Sequence, residues 1–199
     1  IIGRAIDFAR VVGCVVHVNA STPEPGFVQH KAGNGLIVGE PDGRLSPRAK
    51  AIADLLAGAG FETTLSDDIR HAIWYKLWGN MTINPLSAIT GATADRLLDD
   101  PLLREFCSSA MREAAAVGAS LACPNEQTPE DRHAITRKLG AFKPSMLQDV
   151  EAGRPLELDT IVAAVSELGQ KTGISTPSID ALLGIARVFA RQRGLYPQA

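Results

Sequence analysis

Only three cysteines occur in 199 residues, and Cys14, Cys107 and Cys123 match neither C-x-x-C nor a metal-ligand spacing. So few thiols, odd in number and far apart, exclude a disulfide scaffold and suit a reducing cytoplasm. His17, His30, His71 and His133 show no metal spacing either, and neither H-E-x-x-H nor G-x-S-x-G is present. Metal and acyl-transfer chemistry are thus poor candidates. Charge is equally muted: the net value is -2, the pI is about 6.1, and Lys and Arg are scattered, so neither nucleic acid nor an anionic membrane is an expected partner. No apolar run approaches the ~20 residues of a membrane helix, and the N-terminus lacks a basic-then-apolar signal pattern. A chain that is 45% hydrophobic without these features reads as a compact globule whose partner is a small molecule or another protein. Because it begins at Ile1 without methionine, it is expected to be a fragment or processed chain that opens inside a structural element.

The first third is strand-like. RVVGCVVHVNA, GFVQHKA and NGLIVGEP are β-branched segments bounded by the turn signals TPEPG and PDG, and they predict a small antiparallel or mixed sheet. Ser46 followed by Pro47 predicts a capped helix, with Ala49, Ile52, Ala53, Leu55, Leu56 and Ala59 giving the helical period until Gly58 and Gly60 end it. FETTLS adds one short strand. From Asp67 onward the pattern is helical, with helices expected near 68–90, 101–122, 128–141, 145–153, 157–173 and 177–193. LYPQA at the end reads as an ordinary tail.

KLWGNMTINP, Lys76 to Pro85, is the most informative stretch. Residues four apart on a helix advance only ~40° around its axis, so Lys76, Asn80 and Asn84 form one polar stripe. Pro85 lacks an N–H and presses on the Met81 carbonyl, which predicts a kink, and Gly79 leaves room for another backbone or a ligand. The plain reading is a solvated lysine with two surface amides. The chemical reading starts from carbonyl reduction, which creates an alkoxide that a lysine ammonium can stabilise and protonate. A lysine is protonated at neutral pH, its ordinary pKa being ~10.4. Asparagine amides both donate and accept, which suits hydroxyl and keto oxygens.

A second constellation is PSMLQDVEAGRPLELD, Pro144 to Asp159. Ser145 is placed to cap a helix and offer its hydroxyl beside free N–H groups, an arrangement suited to a carboxylate. Glu157 follows the GRP turn near the start of the next helix. Plain helix capping explains both residues equally. The glycine-rich candidates fail: GAG at 58–60 ends a helix, and NGLIVG lacks both a third glycine at the right spacing and a following helix.

Together, DDIRHAIWYKLWGNMTINPLSAITG, KPSMLQDVEAGRPLELD and GCVVHVNASTPEPGFVQH resemble the 2-dehydropantoate 2-reductase, or ketopantoate reductase, family over nearly the whole chain. The resemblance implies an α+β fragment. Residues 1–67 would be the end of an NADP-binding Rossmann domain, and 68–199 a helical domain of the 6-phosphogluconate dehydrogenase C-terminal type. It also implies NADPH-dependent reduction of ketopantoate to pantoate in pantothenate and coenzyme A biosynthesis, in the cytoplasm. Lys76 would be the proton donor, Asn80, Asn84 and Ser145 would bind substrate, and Glu157 would lie at the nicotinamide end of the cofactor and the substrate hydroxyl. The family's phosphate loop would precede Ile1, so the fragment alone is expected to be inactive and to bind NADPH weakly or not at all. Where some members carry a further polar ligand after Gly91, this chain reads Ala92, Thr93, Ala94. Two other readings stay open: a paralogue reducing another 2-keto acid, and a non-catalytic helical module that forms a homodimer.

Overall fold

The structure, a computed structural model, describes residues 5–198. The expected opening inside an element at Ile1 lies outside them. The chain divides after Lys76 into two compact units.

In the first unit, a short 3₁₀ turn at Phe8–Arg10 precedes strand β1 (Gly13–Glu24), which pairs antiparallel with β2 (Phe27–Gly39). Helix α1 (Pro47–Gly58) then carries the chain to β3 (Glu62–Leu65), which is parallel to β2, so the sheet is mixed with order β1-β2-β3. A parallel neighbour requires such a crossover, and α1 supplies it. GFVQHKA and NGLIVG, expected as two strands, run as one. Gly33 takes φ +73, with the His17 carbonyl only 2.2 Å from where a Cβ would stand, and the register shifts opposite it. A bulge at this glycine bends the pair without ending it. The core is thin, with Val15, Leu36 and Val38 buried together with Ala49 and Ala53 of α1.

Helix α2 (Ile69–Thr90) runs across the division and continues through Pro85. The second unit is helical among the described residues: α3 (Ala94–Asp99), α4 (Pro101–Ser120), α5 (Pro129–Arg137), α6 (Ser145–Glu151), a π-type turn (Asp159–Ala163) leading into α7 (Ala164–Thr172), and α8 (Pro177–Gln192). Helix α3 was not expected. Its six residues are too few to display a period, and Thr93 before it makes no side-chain cap; tertiary burial of Ala94, Leu97 and Leu98 holds it. Every residue of α2 from Met81 to Ala88 is buried, the polar Thr82, Asn84 and Ser87 included. Trp78 anchors it by donating its indole N–H to the Met111 carbonyl at 2.8 Å.

Candidate functional site

Lys76 closes the first unit, and its ammonium donates to the Val16 carbonyl of β1 at 2.5 Å. Burial raises the pKa of nearby Cys14, with the positive charge of Lys76 pulling the other way.

Asn80 and Asn84 belong to the second unit. Asn80 is half-buried, whereas Asn84 is only 6% exposed and donates from Nδ2 to the Ser145 hydroxyl at 3.5 Å. That contact is long for a hydrogen bond, so the two groups are neighbours with capacity for a third partner. Ser145 does not cap its helix as expected. The cap position falls on Pro144, which makes no side-chain cap, and Ser145 is the first helical residue. Its hydroxyl is therefore turned toward tertiary contact with Asn84, 61 residues away in sequence.

Ser145 and Glu157 share a pattern. Each is exposed between buried neighbours, Ser145 between Pro144 and Met146, Glu157 between Leu156 and Leu158. Met146, Leu156 and Leu158 pack in one apolar cluster with Ala88, which lies one helical turn beyond Asn84. One apolar floor thus lies beneath the residues that neighbour Asn84, Ser145 and Glu157. Glu157 also stands just before the π-type turn, and its carbonyl accepts from the Ile161 N–H at 3.1 Å and the Thr160 hydroxyl at 3.2 Å. Single π turns of this kind recur at functional sites.

The close approach expected at Gly79 is made by a side chain of the protein itself. A Cβ there would lie 2.4 Å from Nε and from one terminal nitrogen of Arg132 on α5. Arg132 was not a sequence candidate, because its surroundings PEDRHAITR read as a polar helix with no sign of what it covers. Thr93, the one hydroxyl in the ATA stretch, donates to Asp95 at 2.5 Å and holds that carboxyl below its ordinary pKa. Buried Ser87 donates to the Ala92 carbonyl at 2.5 Å.

Two shallow cavities occur in the first unit. One, about 590 Å³, is lined by Phe8, Glu40, Ser46 and Arg48 among others, and the other, about 190 Å³, by Asp42, Asp67 and Arg70. Neither is lined by a sequence-expected site residue. Among the described residues no cluster of metal-ligating side chains occurs, and no helix is long and apolar enough to cross a membrane.

Comparison with known proteins gives these observations a context. Residues 68–190 match the family described as ketopantoate reductase PanE/ApbA C terminal. A 2-dehydropantoate 2-reductase of Mesorhizobium japonicum is 41% identical over 195 residues, covering 98% of this chain and 60% of that protein. The crystal structure of a candidate ketopantoate reductase from Ralstonia solanacearum MolK2 superposes with a TM-score of 0.94 at 52% identity, covering 98% of this chain and 60% of that one. D-mandelate dehydrogenase in its ternary structure with NADH and anilino(oxo)acetate shares the fold, with TM-score 0.85 and 23% identity over 98% of this chain and 64% of that one. The chain thus spans about 60% of the length of the curated relatives named 2-dehydropantoate 2-reductase that it matches along most of its length. With more than half of its residues matched by the family model, the chain belongs to the ketopantoate reductase family and carries that family's C-terminal domain.

Proposed function

We propose that this chain supplies the substrate-binding and proton-donating part of an NADPH-dependent reductase that converts 2-dehydropantoate to pantoate, a step toward pantothenate and coenzyme A in the cytoplasm. The observation that carries this reading is the meeting of Asn84 and Ser145 over the apolar floor that also underlies Glu157. In this reading residues 1–67 are the end of a Rossmann-type nucleotide domain and 68–199 a helical domain of the 6-phosphogluconate dehydrogenase type, and the working protein is a homodimer.

The residues described here do not make a pyrophosphate cradle. Gly58 and Gly60 terminate α1, Gly33 and Gly35 lie inside β2, and the turn from β2 to α1 carries Gly39 and Gly43 without the G-x-G-x-x-G spacing. The dinucleotide, which supplies the hydride, would be held largely by residues outside this set.

This chain's own contribution is orientation and a proton. The Asn84 amide and the Ser145 hydroxyl can hold the substrate's carboxylate and hydroxyl, and Asn80, four residues earlier on the same helix, can hold the keto oxygen. Charge that develops on that oxygen is met by the Lys76 ammonium, which gives up one N–H proton to form the alcohol. The Val16 carbonyl engages one of the three ammonium protons and fixes the head in place. Glu157 accepts from the substrate hydroxyl near the nicotinamide end of the cofactor.

A paralogue acting on another 2-keto acid is the second reading. It is favoured by Thr93, whose hydroxyl is bonded to Asp95 in the stretch that carries a substrate ligand in some relatives. Following NADPH oxidation by the complete gene product, with ketopantoate beside 2-ketoisovalerate, separates the two. Turnover with ketopantoate and at least ~10²-fold less with the analogue lacking the hydroxyl is the expected result, because a site built for that hydroxyl leaves polar groups unpaired without it. Equal rates favour the paralogue, and no turnover with either overturns the assignment.

A further inference from the structure

Leu195 and Tyr196, the start of the stretch expected to be an ordinary tail, are fastened onto the segment that carries Glu157. Two residues beyond the end of α8 at Gln192, Gly194 takes a φ of +68 and turns the chain back so that the Leu195 N–H donates to the Ala190 carbonyl at 2.8 Å. A glycine in the left-handed region makes such a reversal at little steric cost. Leu195 is then 6% exposed, part of the same floor as Leu156 and Leu158, and its carbonyl accepts the Leu156 N–H at 2.8 Å. The next residue completes the hold. The Tyr196 hydroxyl donates to the Asp159 carboxylate, and its ring lies 5.6 Å from the Arg191 guanidinium carbon and 6.0 Å from that of Arg187. Arg187 in turn approaches Asp159 at 3.8 Å.

Residues 154–157 have no regular structure, so Glu157 has no helix of its own to orient it. The residue before it and the residue two after it are both tied to the tail. We infer that Leu195 and Tyr196 are positioning residues that hold the Glu157 segment against the floor, and that through Glu157 they set the affinity for the keto acid. A group on a loop is aimed only as well as its support allows. This inference rests on the role proposed above for Glu157, and the test separates the two.

In the complete gene product, Tyr196→Phe keeps the ring and removes the hydroxyl, and deletion of residues 195–199 removes the hold entirely. Amide hydrogen exchange over residues 156–161 is expected to speed up in the deletion variant and more modestly in Tyr196→Phe. For Tyr196→Phe the KM for the keto acid is expected to rise about tenfold, the usual weight of one hydrogen bond to a charged group, with kcat nearly unchanged. In a Glu157→Gln background the same substitution is expected to add nothing, because the group being positioned has already been altered. Unchanged exchange at 156–161 in the deletion variant overturns the inference, as does a KM rise of equal size in both backgrounds. Faster exchange together with an inert Glu157→Gln supports the hold of the tail on the segment and overturns instead the role given to Glu157.

Discussion

The strand unit and the helical unit are held together by different means. In the first, a three-stranded sheet with one helix on it encloses little, so Phe8 and Leu55 remain 62% and 75% exposed. A polar knot adds to its cohesion. Glu40, only 3% exposed, accepts from Arg48 at 2.7 and 2.6 Å and from the Ser46 hydroxyl, and Ser46 also caps α1. In the second unit large side chains such as Trp78, Met81 and Met111 are sealed, and some polar groups serve to cap its helices. Glu113 of α4, for example, accepts from the Ser178 and Ile179 N–H groups and so caps α8, which its own Thr176 fails to do. One unit therefore depends on charge and backbone fit, the other on volume.

That contrast can be tested by substitution, starting with the largest expected effect. Trp78→Ala empties a fully buried site and orphans the Met111 carbonyl, so it is expected to cost about 3–5 kcal/mol, read from urea unfolding. Equal destabilisation of both units in segment-resolved hydrogen exchange would break the comparison. Lys76→Ala removes a functional charge. In the complete gene product it is expected to lower turnover at least ~10²-fold with the far-ultraviolet spectrum unchanged, and unaltered turnover would remove the proposed proton donor. Gly39→Ala probes backbone fit in the first unit, where a Cβ would lie 2.6 Å from the Ser66 carbonyl oxygen and 2.9 Å from the Ile69 Cβ. A loss of about 1–3 kcal/mol is expected from thermal unfolding, since backbone cannot move aside as a flexible side chain can.

Acid is expected to distinguish the units by their pH windows. Hydrogen bonds from Arg48 and then Ser46 hold Glu40 down at about 2, below its ordinary 4.5. With the folded value depressed, the unfolded chain binds the proton first, so this stabilisation is complete above about 4.5 and lost as pH falls toward 2. His133, 3% exposed and 3.0 Å from the Ser108 hydroxyl, is lowered from 6.5 mainly by burial, with Glu130 opposing and Arg104, Arg137 and Arg112 reinforcing the shift. The unfolded chain again binds the proton first, so the helical unit begins to lose stability once pH drops below about 6.5. Exchange measured segment by segment from pH 7 to 3 is expected to show the helical unit respond first. His133→Gln should remove the upper phase, and Glu40→Gln the lower one.

How much was legible beforehand followed from how local each signal is. Ser46–Pro47 as the start of α1 is read from adjacent residues, because a cap needs only its own first turn, and a start near Pro101 for α4 follows from the helical pattern. Helix α3 and the π-type turn after Glu157 were not legible, since both depend on what packs against them. Lys76, Asn80 and Asn84 could be picked out by their spacing on one helix, and Ser145 and Glu157 by their place around GRP. The partner of each could not: Val16 for Lys76, Ser145 for Asn84 and Arg132 against Gly79 are tens of residues away in sequence.

The sequence alone determined the elements whose signals are short-range: alternation in the strands, proline and serine at helix starts, glycine at turns, and the order of motifs that places the chain in its family. Tertiary structure decided which polar groups are committed and which are presented. It took Ser145 off cap duty, engaged Thr93 with Asp95, buried Asn84, and folded Leu195 and Tyr196 back onto the segment around Glu157. The physical reason is range. Backbone preference and capping act within about one helical turn, whereas burial and hydrogen-bond partnership are settled only when distant segments compete for the same apolar floor.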